Sequence, residues 1–165
     1  MSRLDSFLRR LEAQRACLDH AARLIDGVSG PVIELGLGNG RTYDHLRALF
    51  PDRAIYAFDR RDAADPAAAP DRAHLVLGEF AETVPVALAR IGAPAAFAHC
   101  DFGSGWAERV TALARLLTVA LPPILAPGAL VVSDQALDDR RLEPLPPPPG
   151  VEPGRYHLYR ARGAG

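Results

Sequence analysis

Pro31-Val32-Ile33-Glu34-Leu35 runs straight into Gly36-Leu37-Gly38-Asn39-Gly40, and beyond Gly40 the hydrophobic period changes to that of a helix. A buried strand that meets a helix through alternate glycines forms a tight turn, with backbone N–H groups facing outward and no Cβ in the way. In open α/β sheets such a turn lies at the carboxyl ends of the strands, where ligands bind.

The rest of the chain repeats this alternation. Residues 3–25 place Leu4, Phe7, Leu8, Leu11, Leu18, Ala22 and Ile25 on one face, with Ser2 as N-cap and Gly27 and Gly30 as stops. The strand at 31–35 and a helix from Arg41 to about Phe50, with Leu46, Leu49 and Phe50 inward, come next. Strands follow at 54–58 (ending at Asp59), 74–77, 95–100 and 128–133. Between them lie a polar loop at 60–72, a helix around 83–91 with Pro85 in its first turn, and a helix from about Ser104 to Leu121. Strands alternating with helices imply parallel βαβ units, and apolar runs without strict alternation imply a sheet covered on both faces. The fold expected is α/β, a doubly wound, mostly parallel sheet. Five prolines within 144–149 forbid a helix there, and the alternating Tyr156-His157-Leu158-Tyr159-Arg160 reads as a last, antiparallel edge strand.

With 165 residues, the chain reads as a single domain over 1–165. It divides into the N-terminal helix 3–25, a core over 30–135, and a proline-rich tail with an edge strand over 136–165. A net charge of -1 argues against a nucleic-acid partner held by a basic surface. No apolar run is long enough to suggest a membrane span, and the N-terminus lacks the features of a signal peptide. Cys17 and Cys100 form no CxxC, which fits a reducing, cytoplasmic setting.

The glycine spacing helps to identify the ligand. A dinucleotide turn is G-x-G-x-x-G, but here the third position of that pattern is Arg41, and the glycines fall at 36, 38 and 40. Glu34, two places before the first glycine, would repel a pyrophosphate and tolerate the cationic methionine portion of S-adenosylmethionine. Asp59, at the end of the second strand, can accept hydrogen bonds from ribose hydroxyls in either ligand.

On these residues the chain resembles the class I, Rossmann-like S-adenosylmethionine-dependent methyltransferases over roughly residues 20–135. The resemblance implies S-adenosylmethionine as cofactor, with a binding set of Glu34, Gly36, Leu37, Gly38, Asn39, Gly40, Asp59 and Arg60. It adds Gly78, Glu79 and Phe80 toward the adenine and Asp101 beside the methyl group. Asp101, His99 and Asp134 are the candidate bases. For His99 the competing reading is a satisfied core histidine. For Trp106 core packing competes with ligand stacking, and for Tyr43 helix packing competes with reach toward the ligand's carboxylate. Cys100 reads as core.

Asp101, Asp134 and Gln135 also resemble the magnesium site of catechol-type O-methyltransferases, although that family's nearby lysine is absent from Phe102-Gly103-Ser104. The metal is left open. Only about thirty residues follow Asp134, fewer than the usual helix and hairpin need. The expected function is methyl transfer to a small-molecule acceptor. The alternatives are a NAD(P)-binding oxidoreductase and a non-catalytic S-adenosylmethionine-binding subunit. The apolar stripe at Phe7, Leu8 and Leu11 suggests a homodimer or higher homo-oligomer.

Overall fold

The computed structural model describes residues 2–103 and 105–163. Its seven strands form one sheet in the order β3-β2-β1-β4-β5-β7-β6. They are β1 (Val32–Leu35), β2 (Ile55–Asp59), β3 (Leu75–Leu77), β4 (Ala95–Cys100), β5 (Leu125–Ser133), β6 (Leu142–Leu145) and β7 (His157–Ala161). The first five pair in parallel, and β7 pairs antiparallel with both β5 and β6, so β7 alone of the seven runs in the opposite direction. The doubly wound, mostly parallel sheet is therefore as expected. Among the described residues, no helix is long and apolar enough to cross a membrane.

Two helical layers cover the sheet. On one face lie α1 (Arg3–Leu24) and α2 (Arg41–Leu49); on the other lie α3 (Phe80–Thr83), α4 (Ala87–Ile91) and α5 (Ala107–Ala120). Each strand divides its side chains between the two cores, because successive residues point to opposite faces. Val32, Phe97, Leu130 and Leu158 pack against α1 and α2. Ile33, Ala98, Val131 and Tyr159 pack toward the other layer. A capping box starts α1: the Ser2 hydroxyl accepts from the Asp5 N–H at 3.0 Å, and the Asp5 carboxylate accepts from the Ser2 N–H at 2.9 Å.

Three local expectations differ from what forms. The helix expected over 83–91 is two short ones separated by Pro85, which has no N–H to give to a helical ladder. The strand at the C-terminus is antiparallel as expected, but β6 flanks it and takes the edge. Pro144 sits within β6, where an edge position tolerates a residue with no N–H. The helix expected from Ser104 begins at Ala107; Ser104 itself lies outside the described residues. Trp106 is its N-cap and is 82 % exposed, so it is neither core nor stacked against protein.

Strand order reverses between β1 and β4, and the loops leaving them are tied together. Gly36 N–H donates to the Phe58 carbonyl at 2.9 Å and Asp101 N–H to the Leu35 carbonyl at 2.9 Å. Asp134 N–H donates to the Cys100 carbonyl at 3.0 Å. Ladder bonds thus continue past the strand ends and fix the loops that face the crevice.

Candidate functional site

The crevice at the carboxyl end of the sheet has two lobes that meet at Gly36, Asp59 and Asp101. The first lies between the β2 and β3 loops and α5, with Arg60, Glu79, Phe80, Phe102, Arg109 and Leu113 on its walls. The second lobe runs under α1, between Phe7, Arg10, Leu11 and Gln14 and the turn from Gly36 to Asn39.

The three glycines of the turn serve different ends. A β-carbon at Gly36 would stand 2.1 Å from the Asp101 carbonyl oxygen, so this glycine lets the β1 and β4 loops touch. One at Gly40 would stand 2.6 Å from the Ala68 carbonyl, against the turn at Pro66–Ala68. At Gly38 nothing lies within 4 Å, and a side chain there would enter open space beside the crevice. Leu37 turns its side chain into the α1/α2 core, leaving only its backbone for a ligand. Asn39 is exposed, its side-chain oxygen 3.4 Å from the Arg41 N–H.

Asp59 ends β2 and organises both adjoining loops. Its Oδ2 accepts from the Gly38 N–H at 3.0 Å, while Oδ1 accepts from Arg60 N–H at 2.6 Å and Arg61 N–H at 3.3 Å. Glu79 is gripped by Arg109, 3.1 Å from its Oε2, and approached by Arg60 at 4.0 Å. Phe80 is buried beside it, and Gly78 packs against Thr83.

The candidate bases are less available than the sequence suggests. Glu34 and His99 are adjacent across β1 and β4 and face the α1/α2 layer, both with side chains fully buried. Glu34 Oε1 accepts from the Thr42 hydroxyl and lies 3.3 Å from His99 Nδ1. His99 Nε2 lies 3.3 Å from Gln14 Nε2, which also donates to Asp101 Oδ2 at 2.8 Å. Because the Gln14 amide nitrogen can only donate, these bonds assign the Nδ1–H tautomer to His99. His99 is therefore a satisfied core histidine, its ring buried between Glu34 and Gln14. Glu34 is linked to crevice-lining residues through Thr42 and, by way of His99, through Gln14.

Asp101 is engaged on both oxygens, by Gln14 and by Arg10 Nη2 at 2.6 Å. Asp134 accepts from the Gly103 N–H at 2.7 Å and the Phe102 N–H at 3.3 Å, pinning the β4 loop. Burial and then the nearby Asp101 charge push its carboxyl above the usual range.

In the Asp101, Asp134 and Gln135 trio, the two carboxylates already have protein partners. Asp101 faces Arg10 and Gln14, Asp134 faces backbone amides, and among the described residues no three metal-binding acids, histidines or cysteines converge. Tyr43 is buried in the α2 core, next to Arg47 and away from the crevice. Cys100 is core, and burial pushes its thiol up.

Two residues that the sequence did not single out belong to this site. Arg10 and Gln14, four apart on α1, reach Asp101 from one helix face. The Tyr156 hydroxyl lies outside the crevice, buried in the α1/α2 core without a hydrogen-bond partner among the described residues. Helical spacing places Arg10 and Gln14 on one face, but only the docking of α1 aims that face at β4.

Glu34 carries a pH signature. Burial raises its carboxyl pKa, outweighing the opposing effects of His99 and Thr42. An acid whose pKa rises on folding contributes most below its unfolded value, and loses that contribution as pH climbs through the folded value. Glu34→Gln keeps an acceptor for Thr42 and His99 and removes the buried charge. The variant is expected to melt at or above the wild type in mildly alkaline buffer. That margin should shrink toward acid pH, below the ordinary glutamate range. Calorimetric melts across pH check this, and a variant equally less stable at both ends would refute it.

The S-adenosyl-L-methionine methyltransferase family matches residues 1–161. A crystal structure of an S-adenosyl-L-methionine methyl transferase from Silicibacter pomeroyi DSS-3 is 48% identical, covers 99% of each chain and superposes with a TM-score of 0.90. The antibiotic-resistance methyltransferase Kmr shares the fold at 17% identity, over 91% of this chain and 93% of that one, TM-score 0.56. MycE from the mycinamycin biosynthetic pathway does so at 16% identity, over 93% of this chain and 48% of that one, TM-score 0.59. No curated protein matches the sequence. These relatives set aside the oxidoreductase reading that the glycine spacing already disfavoured. The chain belongs to the S-adenosyl-L-methionine methyltransferases, enzymes that use S-adenosylmethionine.

Proposed function

We propose that the protein transfers the methyl group of S-adenosylmethionine to a small-molecule acceptor bound under the first turns of α1. The observation that carries this reading is the second lobe of the crevice. Phe7 and Leu11 continue the buried stripe of α1 past the edge of the sheet, and they roof the space beside Asp101. In this reading the ribose lies on Asp59 and the adenine in the lobe lined by Phe80, Leu113 and Glu79. The turn from Gly36 to Asn39 faces the methionine portion.

S-adenosylmethionine supplies a methyl group on a sulfonium, open to in-line displacement. Charge disperses in that reaction, so this chain's contribution is alignment and exclusion of water. His99 is spent on Glu34 and Gln14, and Asp134 on holding the β4 loop. Asp101 can take a proton from an acceptor only once Arg10 releases it. Cys17 and Cys100, both buried and unpaired, support a reducing, cytoplasmic setting.

The test is to incubate the protein with methyl-labelled S-adenosylmethionine and a cell extract divided into small-molecule, protein and nucleic-acid fractions. Label is expected in the small-molecule fraction. Label confined to nucleic acid or protein would overturn the reading.

The exposed Leu4, Phe7 and Leu8 further support a homo-oligomer, most simply a two-fold dimer with a second copy closing the mouth. Light scattering is expected to report a dimer. A fully active monomer would show that α1 closes the mouth alone.

A further inference from the structure

We infer that Arg10 is the receptor for the α-carboxylate of the ligand's methionine portion, and that Asp101 masks it until that portion arrives. This rests on the cofactor seat proposed above. Arg10 and Asp101 form an ion pair at 2.6 Å, with side chains 36% and 22% exposed. The pair is therefore within reach of a ligand, unlike the sealed Glu34 and His99 beside it. Both residues line the same lobe as the turn from Gly36 to Asn39.

The methionine portion carries one carboxylate and one ammonium, the complement of Arg10 and Asp101. On binding, a single internal ion pair is exchanged for two pairs with the ligand, and no charge is left buried alone. Gln14 keeps its bond to Asp101 at 2.8 Å throughout, so the carboxylate stays aimed while its other oxygen changes partner.

The position of Arg10 on α1 suits this exchange. The helix is anchored from Ala13 onward by Cys17, Leu18 and Ala21, all buried, whereas Leu4, Phe7 and Leu8 ahead of Arg10 are exposed. Arg10 thus sits at the junction between the anchored part of α1 and its overhanging tip. Engagement of Arg10 by a ligand would set the tip that carries Phe7 and so complete the roof of the acceptor site.

Calorimetric titration with two probes tests this. S-adenosylhomocysteine carries the amino-acid portion, and 5′-deoxy-5′-methylthioadenosine has the same adenosine and thioether without it. Arg10→Met is expected to lose about ten- to a hundredfold in affinity for S-adenosylhomocysteine, as loss of charge-assisted hydrogen bonds implies. Its affinity for methylthioadenosine should match the wild type. Arg10→Lys, which keeps the charge and loses the fork, should fall between.

Equal losses for both probes would mean that Arg10 only supports the fold, and would overturn the inference, as would unchanged affinity for S-adenosylhomocysteine. A wild type that binds neither probe would remove the cofactor seat itself, and the inference with it. Thermal melts of both variants verify that α1 remains docked.

Discussion

Gly36→Ala is expected to cost on the order of 3–5 kcal/mol and to abolish binding of S-adenosylhomocysteine. A loss of that size belongs to the exceptional end of single substitutions and needs a named cause. Here there are two. Gly36 has φ +102°, a conformation that side chains rarely adopt, and its β-carbon would stand 2.1 Å from the Asp101 carbonyl oxygen. That oxygen belongs to backbone held by the bond from Asp101 N–H to Leu35, so it cannot swing aside.

Gly38→Ala is the matched control. With φ +54° and nothing within 4 Å, its strain is limited to the roughly 1–2 kcal/mol of a left-handed residue. Its methyl group would project beside the crevice, so affinity should fall while the melting temperature drops far less than in Gly36→Ala. Thermal melts paired with calorimetry separate the two. Gly36→Ala that folds and binds like the wild type would mean that the two loops do not meet at this point.

Asp59→Asn is expected to weaken S-adenosylhomocysteine binding by at least about tenfold, with little change in melting temperature relative to Gly36→Ala. The carboxylate is acceptor-only, and both oxygens already take backbone N–H groups, from Gly38 on one side and from Arg60 and Arg61 on the other. An amide replaces one acceptor by a donor. Whichever way it turns, a donor meets a donor, and the turn at Gly38 or the loop at Arg60 loses its tether. The ribose would lose a charge-assisted acceptor worth about 1.5–3 kcal/mol at the same time. Titration of the variant with S-adenosylhomocysteine measures the sum, and undiminished affinity would place the ribose elsewhere.

The parts that local chemistry dictates were legible in the sequence. The period change at Gly40, the alternate glycines and Asp59 at a strand end are all short-range signals, and they set the sheet, the turn and the ribose candidate. Signals that depend on packing were not. Glu34, His99 and Gln14 come from three elements and meet only because β1 and β4 pair Glu34 with His99 beneath α1. Glu34, read as a ligand contact, and His99, read both as a candidate base and as a core histidine, have fully buried side chains. Asp101 reads as a free acid until α1 is docked, when Arg10 and Gln14 occupy it. The strand β6 was hidden by Pro144, whose missing N–H matters only inside a sheet. Trp106 was misjudged because the amphipathic pattern cannot tell a helix's first turn from the loop before it.

The most direct test of the account is a structure of the protein with S-adenosylhomocysteine bound. The account predicts the ligand across the crevice between β1 and β4. Its ribose hydroxyls should lie on Asp59, its adenine between Phe80 and Leu113, and its methionine portion along the turn from Gly36 to Asn39. A ligand seated anywhere else, or with its ribose away from Asp59, would contradict it.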